Sequence, residues 1–150
     1  MKRILSFCLT LAALTIDSFG AESADRVTLI QSNKTAAAFA KGMPLLETKE
    51  YKVHASRREA PGIAEIHAKD TDIIHILEGS AVLVTGGTAV ETKNIAPDEF
   101  RGASIEGGQS RRLGKGDVII IPPGVPHWFK EVNGPLLYYV VKVTSQAAKE

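Results

Sequence analysis

The stretch Gly116 to His127, GDVIIIPPGVPH, constrains the fold more than any other part of the chain. Val118 to Ile121 is a β-branched run of buried-strand length. Pro122, Pro123, Gly124 and Pro126 end its ladder, because proline has no N–H to donate and glycine permits a sharp bend. His127 follows that stiff corner, with Trp128 and Phe129 after it. A histidine fixed between two strands suits metal binding or acid–base work.

The rest of the chain repeats the pattern of short strands and turns. Residues 24–42 contain a short helix, its Ala-rich turn and Phe39 bounded by Ser32 or Asn33 as cap and by Gly42 as stop. Strands are expected at Leu45-Leu46, Glu50–Arg58, Ile63–His67, Asp72–Leu77, Ala81–Thr85 and Thr88–Lys93. Closing strands follow at Ser110–Leu113, Val118–Ile121, His127–Val132 and Leu136–Val143. Glu78-Gly79, Gly86-Gly87 and Asn133-Gly134 read as turns. Residues 94–108, with Pro97, Gly102, Gly107 and Gly108, read as a long loop over a barrel mouth. The fold class is therefore all-β, a sandwich or barrel. At 150 residues, one core is expected.

The N-terminus has the form of an export signal over residues 1–20. Met1-Lys2-Arg3 is basic, Ile4–Ile16 is apolar, and Ser18-Phe19-Gly20 or Ala21-Glu22-Ser23 offers small residues for cleavage. The expected location is periplasmic or secreted. The only cysteine, Cys8, lies inside that segment, so a mature chain has no thiol chemistry and no disulfide. A formal charge of +1 argues against nucleic acid as a partner. No later stretch approaches the roughly 18 apolar residues of a membrane span, so no membrane association is expected after signal removal. Gly-x-Ser-x-Gly, Walker and dinucleotide fingerprints are absent.

The chemistry concentrates on two strands. Glu65 and His67 share one face, because side chains alternate along a strand. Across the next turn Asp72 starts a strand whose same face carries Ile74 and Ile76. With His127, the set comes to two carboxylates and two imidazoles, good ligands for a divalent ion such as Fe, Mn, Ni, Co or Zn. His75 falls on the face opposite Asp72 if its strand is regular, and a bulge would turn it inward as an extra ligand or pocket residue. Among the arginines able to bind a carboxylate, which also include Arg57, Arg58, Arg111 and Arg112, Arg101 stands out, and with Glu99 in the same long loop it is a candidate for the substrate pocket. Trp128 lies at the pocket edge or in packing.

The pattern is similar to that of the cupin superfamily. Its second motif, Gly, five residues, Pro-x-Gly, two residues, His, is met by Gly116, Pro122, Gly124 and His127. Its first motif has His-x-His, then Glu, then six residues to Gly. Here Glu65-Ile66-His67 stand in the first place, Asp72 in the second and Gly79 in the last. The chain departs from the family pattern at four positions: Glu65 for His, Asp72 for Glu, Glu59 for the leading Gly and Glu131 for a trailing Asn. The resemblance covers about Gly62 to Val132. It implies a single-domain jelly-roll β-barrel over 62–145, preceded by a helix and leading strands over 21–61. It also implies a divalent transition metal, a small-molecule ligand or substrate, and a homodimer. An oxygenase, isomerase or lyase on a small oxygenated molecule is one reading. A non-catalytic periplasmic binder of a sugar or organic acid is a second, and a degenerate cupin whose polar pocket no longer binds metal is a third.

Overall fold

The computed structural model describes residues 26–145; the expected export segment lies outside the described residues. Helix α1 (Ser32–Lys41) opens the described fold. Its cap differs from the expected one. Ser32 and Asn33 lie inside the helix, and Gln31, on extended backbone, accepts from Lys34 and Thr35 N–H at 3.0 Å each. Gly42 ends it at φ 67°, where glycine carries no Cβ penalty.

Eleven strands follow. They are β1 (Met43–Glu47), β2 (Tyr51–Arg58), β3 (Ala64–His67), β4 (Asp70–Thr85), β5 (Thr88–Val90) and β6 (Lys93–Ala96), then β7 (Glu99–Gly102), β8 (Ser104–Glu106), β9 (Gln109–Gly114), β10 (Val118–Ile121) and β11 (His127–Thr144). All pairings are antiparallel. Nine strands form one curled sheet that runs β1-β2-β11-β3-β7-β6, with β4 also on β11 and carrying β9 and β10. β5 and β8 make a separate pair. The architecture is an all-β jelly roll with one short helix. β2 pairs with β11 from Leu136 to Val143, so the strands ahead of Gly62 share a sheet with those after it.

Two expected turns and one expected loop are different in the fold. Glu78-Gly79 is a bend inside the sixteen-residue β4, and Asn133-Gly134 is a bulge inside the eighteen-residue β11. Both strands continue because each bend faces the other and the ladder resumes beyond it. Residues 94–108 are largely β6, β7 and β8, with Pro97 and Asp98 as the turn. Strands of three or four residues are too short to show alternation against proline and glycine signals.

The main core gathers Ile74, Ile76, Leu83, Phe129, Leu136 and Tyr138 inside the curl. A smaller cluster of Ala64, Val84 and Ile105 lies apart, with Trp128 packed on it. Phe39 of α1 meets Tyr139 edge-on at 4.9 Å and fixes the helix on the outer face.

Asp70 ties the start of β4 to two neighbours. Its carboxylate accepts from Thr144 Oγ1 at 2.7 Å and Lys52 Nζ at 3.1 Å. Burial pushes its pKa up, but those donors and the nearby lysine charge win, and it is held below its ordinary 3.8. A depressed carboxyl pKa stabilises above the unfolded value and ceases to do so as pH falls through the folded one. Asp70→Asn is expected to cost about 1–3 kcal/mol at neutral pH. In denaturation series, the gap from wild type should close below pH 3.8; a gap that persists there would assign the loss to packing.

Candidate metal centre

The site is built by sheet register. On β3, Glu65 and His67 point to the same inner face. β11 puts His127 directly opposite Glu65. On the other side, β7 puts Arg101 opposite Glu65 and Glu99 opposite His67. The Pro-rich corner is anchored to the same strand, since Gly124 N–H donates to the His67 carbonyl at 2.8 Å.

Glu65, His67 and His127 each present a ligand atom within 4.8 Å of the others. Both imidazoles are oriented from behind. His67 Nδ1 bonds Glu99 Oε2 at 2.7 Å, and His127 Nδ1 donates to the Val125 carbonyl at 3.2 Å. These bonds leave both Nε2 atoms facing the site as acceptors. An outer carboxylate or carbonyl on the far nitrogen is the usual support of a metal-bound histidine. His67 Nε2 is buried and has no hydrogen-bond partner among the described residues. It lies 3.8 Å from Glu65 Oε2 and 3.5 Å from Asp72 Oδ2. A buried polar atom without a partner is costly, and a divalent ion would satisfy it. Two imidazoles and a carboxylate are a fitting donor set for a transition ion.

Charge is tuned around this group. Burial pushes the Glu65 carboxyl up, yet Arg58 and then Arg101 outweigh it, so Glu65 is held below the ordinary carboxylate range. Burial pushes His127 below 6.5 against the pull of Asp72, which keeps the ring neutral and able to ligate at pH 7. Arg58 Nη2 donates to Glu65 Oε1 at 2.7 Å, and its Nε donates to Tyr138 Oη at 2.9 Å. Arg101 reaches Glu65 at 3.4 Å and Glu99 at 3.2 Å.

The site opens into a cavity of about 440 Å³ that Glu99 and Arg101 help to line. Asp72 is also there, 3 % exposed. Trp128, expected at the pocket edge, is not in it. It follows His127 and so points to the other face, where its Nε1–H donates to the Gly62 carbonyl at 2.7 Å. His75 is exposed and lies outside the cavity, because β4 is regular there and alternation carries the ring outward. Arg58, one of the candidate arginines, enters the cavity wall, and so do Tyr138 and Lys142, which the sequence does not mark as site residues. Inward alternation along β11, Tyr138, Val140, Lys142, was the available signal for two of them.

Comparisons with known proteins bear on the family and the fold. A family model described as Cupin matches residues 19–150. A solved protein from Bacillus halodurans is similar at 17% identity, over 85% of this chain and 89% of its own, with a TM-score of 0.58. A cupin protein from Bacteroides fragilis is similar at 14% identity, over 83% of this chain and 87% of its own, with a TM-score of 0.51. Against peruvianin-I, a cysteine peptidase from Thevetia peruviana latex, identity is 17% and the TM-score 0.44. That match takes in 65% of this chain, which spans about half, 53%, of that one. The search of curated proteins found no match.

Proposed function

Because this chain belongs to the cupin family, we propose that Glu65, His67 and His127 hold a divalent transition ion and that the cavity takes a small oxygenated organic anion as substrate. The observation that carries the reading is the buried, unpartnered Nε2 of His67 among carboxylates. When bound, such an ion supplies Lewis-acid polarisation of a ligand oxygen. The chain's own residues set the rest. Glu99 and the Val125 carbonyl fix the tautomers of the two rings. Arg58 and Arg101 keep Glu65 ionised.

The charge balance supports that substrate class. The cavity wall carries the carboxylates of Glu47, Glu65, Asp72 and Glu99 and the cations of Lys52, Arg58, Arg101 and Lys142. With neutral histidines these cancel, so a divalent ion leaves a positive surplus inside a partly enclosed space. That surplus favours an anion over a neutral polyol.

Elemental analysis of the protein purified without chelator tests the reading, alongside His67→Ala/His127→Ala. Near-stoichiometric metal is expected in the wild type and none in the variant. No metal in either, after reconstitution with Fe(II), Mn(II), Ni(II) and Zn(II), would sink it. A non-catalytic binder is then favoured by a specific observation. Glu65 with Arg58, Asp72 with Lys142 and Glu99 with Arg101 are already paired without an ion. Thermal shift with small organic acids would follow.

Export and homodimer formation belong to the same proposal. They rest on the basic start, apolar stretch and small-residue exit of residues 1–23 and on exposed Val118 and Ile120 of β10. Among the described residues β10 pairs only with β4, and an open edge is a contact site. The mass and sedimentation of the same preparation read both. An uncleaved or monomeric chain counts against them.

A further inference from the structure

Asp72 is placed like a ligand and held like a structural acid. Its Oδ2 lies 3.5 Å from His67 Nε2 and 3.7 Å from His127 Nε2. Yet both of its oxygens accept from Lys142 Nζ, at 2.8 Å each. The pair is set by register, because β11 puts Lys142 directly opposite Asp72. It is also buried, with side chains 13% and 5% exposed.

Glu65 is held differently. Arg58 takes Oε1 at 2.7 Å, while Oε2 faces His67 and meets Arg101 only at 3.4 Å. One oxygen of Glu65 is therefore free of a close donor, and neither oxygen of Asp72 is. Asp72 cannot exchange its lysine for another, since Lys52 Nζ is already on Asp70 at 3.1 Å. Turning Asp72 toward an ion would strand a buried ammonium, which is costly.

We infer that Lys142 withholds Asp72 from the metal, so that this chain's site is two imidazoles and Glu65, with Asp72 beside it as an outer neighbour. The inference rests on the metal reading above. It makes Lys142 a positioning residue that keeps the ligand count at three and leaves coordination positions open to substrate. It also accounts for the net charge of the site, because the Asp72 carboxylate is neutralised by its own lysine and not by the ion.

Co(II) titration of the full chain, followed by visible absorbance, tests it on wild type, Lys142→Met and Lys142→Met/Asp72→Asn. Freed from its lysine, Asp72 should join the ion in Lys142→Met. That variant is expected to bind Co(II) more tightly, on the roughly 10- to 100-fold scale by which neighbouring groups move metal affinity, with altered ligand-field bands. Both changes should vanish in the double variant, which should bind as the wild type does. A gain that persists in the double variant could not come from Asp72 and would overturn the inference. So would loss of Co(II) from the double variant, since Asp72 would then be a native ligand, and so would Co(II) binding to the wild type with no gain in Lys142→Met. The double variant replaces an ion pair by a neutral pair of like size, so even if Lys142→Met does not fold it tests whether Asp72 is a native ligand, and loss of Co(II) from it overturns the inference. Binding to Lys142→Met but not to wild type would support the withholding and defeat the metal reading of the native chain. Binding to none of the three overturns both.

Discussion

Arg58→Leu is expected to destabilise the metal-free protein by about 3–5 kcal/mol, the cost of leaving one member of a buried ion pair behind. Arg58 serves three groups at once. It donates to Glu65 and to the Tyr138 hydroxyl, and its guanidinium lies over the Phe129 ring at 4.9 Å. The side chains of Arg58 and Glu65 are 24% and 20% exposed, so solvent replaces little of what is lost. Arg101 remains, but at 3.4 Å it meets only the other Glu65 oxygen. Removing the stronger of the two cations leaves burial to push the Glu65 carboxyl upward. In the wild type a depressed Glu65 pKa stabilises above 4.5 and ceases to do so as pH falls through the folded value. In the variant that loss should begin at higher pH, and protons should compete with the ion there. Denaturant titrations with and without metal read all of this. The variant should recover more stability from the ion than the wild type does, because the ion supplies the charge that Arg58 supplied. A loss under about 1 kcal/mol would place the pair with exposed surface bridges and remove Arg58 from the site's support.

What the sequence disclosed and what it withheld divide along sequence distance. Alternation alone put Glu65 and His67 on one face, and the proline corner put His127 on a rigid turn. The same parity argument, carried through, sends Trp128 and His75 away from the site, as the fold has them. Glu99 reads from sequence as a pocket candidate beside Arg101, and it lines the cavity, but the sequence does not place it behind a histidine. Its place behind His67 depends on the register of β7 against β3, across 32 residues, and no local pattern sets that register. Asp72 was legible as an acid at the right place, but its lysine partner lies 70 residues away on β11. Arg58 was one of several arginines, and nothing near it in the chain says that it faces Glu65. Long-range pairing therefore decides how the candidate ligands are supported, whereas the candidates themselves announce their positions locally.

Gly79→Val is expected to destabilise the fold by about 2–6 kcal/mol and to lower metal content with it. Gly79 has φ 78°, where a branched side chain is strained by about 1–3 kcal/mol. It also has no room. A Cβ would lie 2.5 Å from the Pro135 carbonyl oxygen and 3.1 Å from Leu136 Cα, both backbone atoms. Overpacking of that kind costs about 1–3 kcal/mol more. Leu136 is fully buried in the main core, so the bulge cannot retreat without disturbing it. Gly116 separates the two costs. Its φ is 91° and nothing lies within 4 Å of its Cβ position, so Gly116→Val should show backbone strain alone. Equal losses in the two variants would mean that the close approach to Pro135 does not require the glycine. The link to the site is the geometry of β11. Its bulge, between Asn133 and Leu137, divides the half that brings His127 to β3 from the half that brings Lys142 to Asp72. Gly79 is the point on β4 where those halves are bent together. Widening it should move His127 and Lys142 apart from one another even in molecules that stay folded. Metal content per folded protein, read beside thermal unfolding, should therefore fall in Gly79→Val and hold in Gly116→Val.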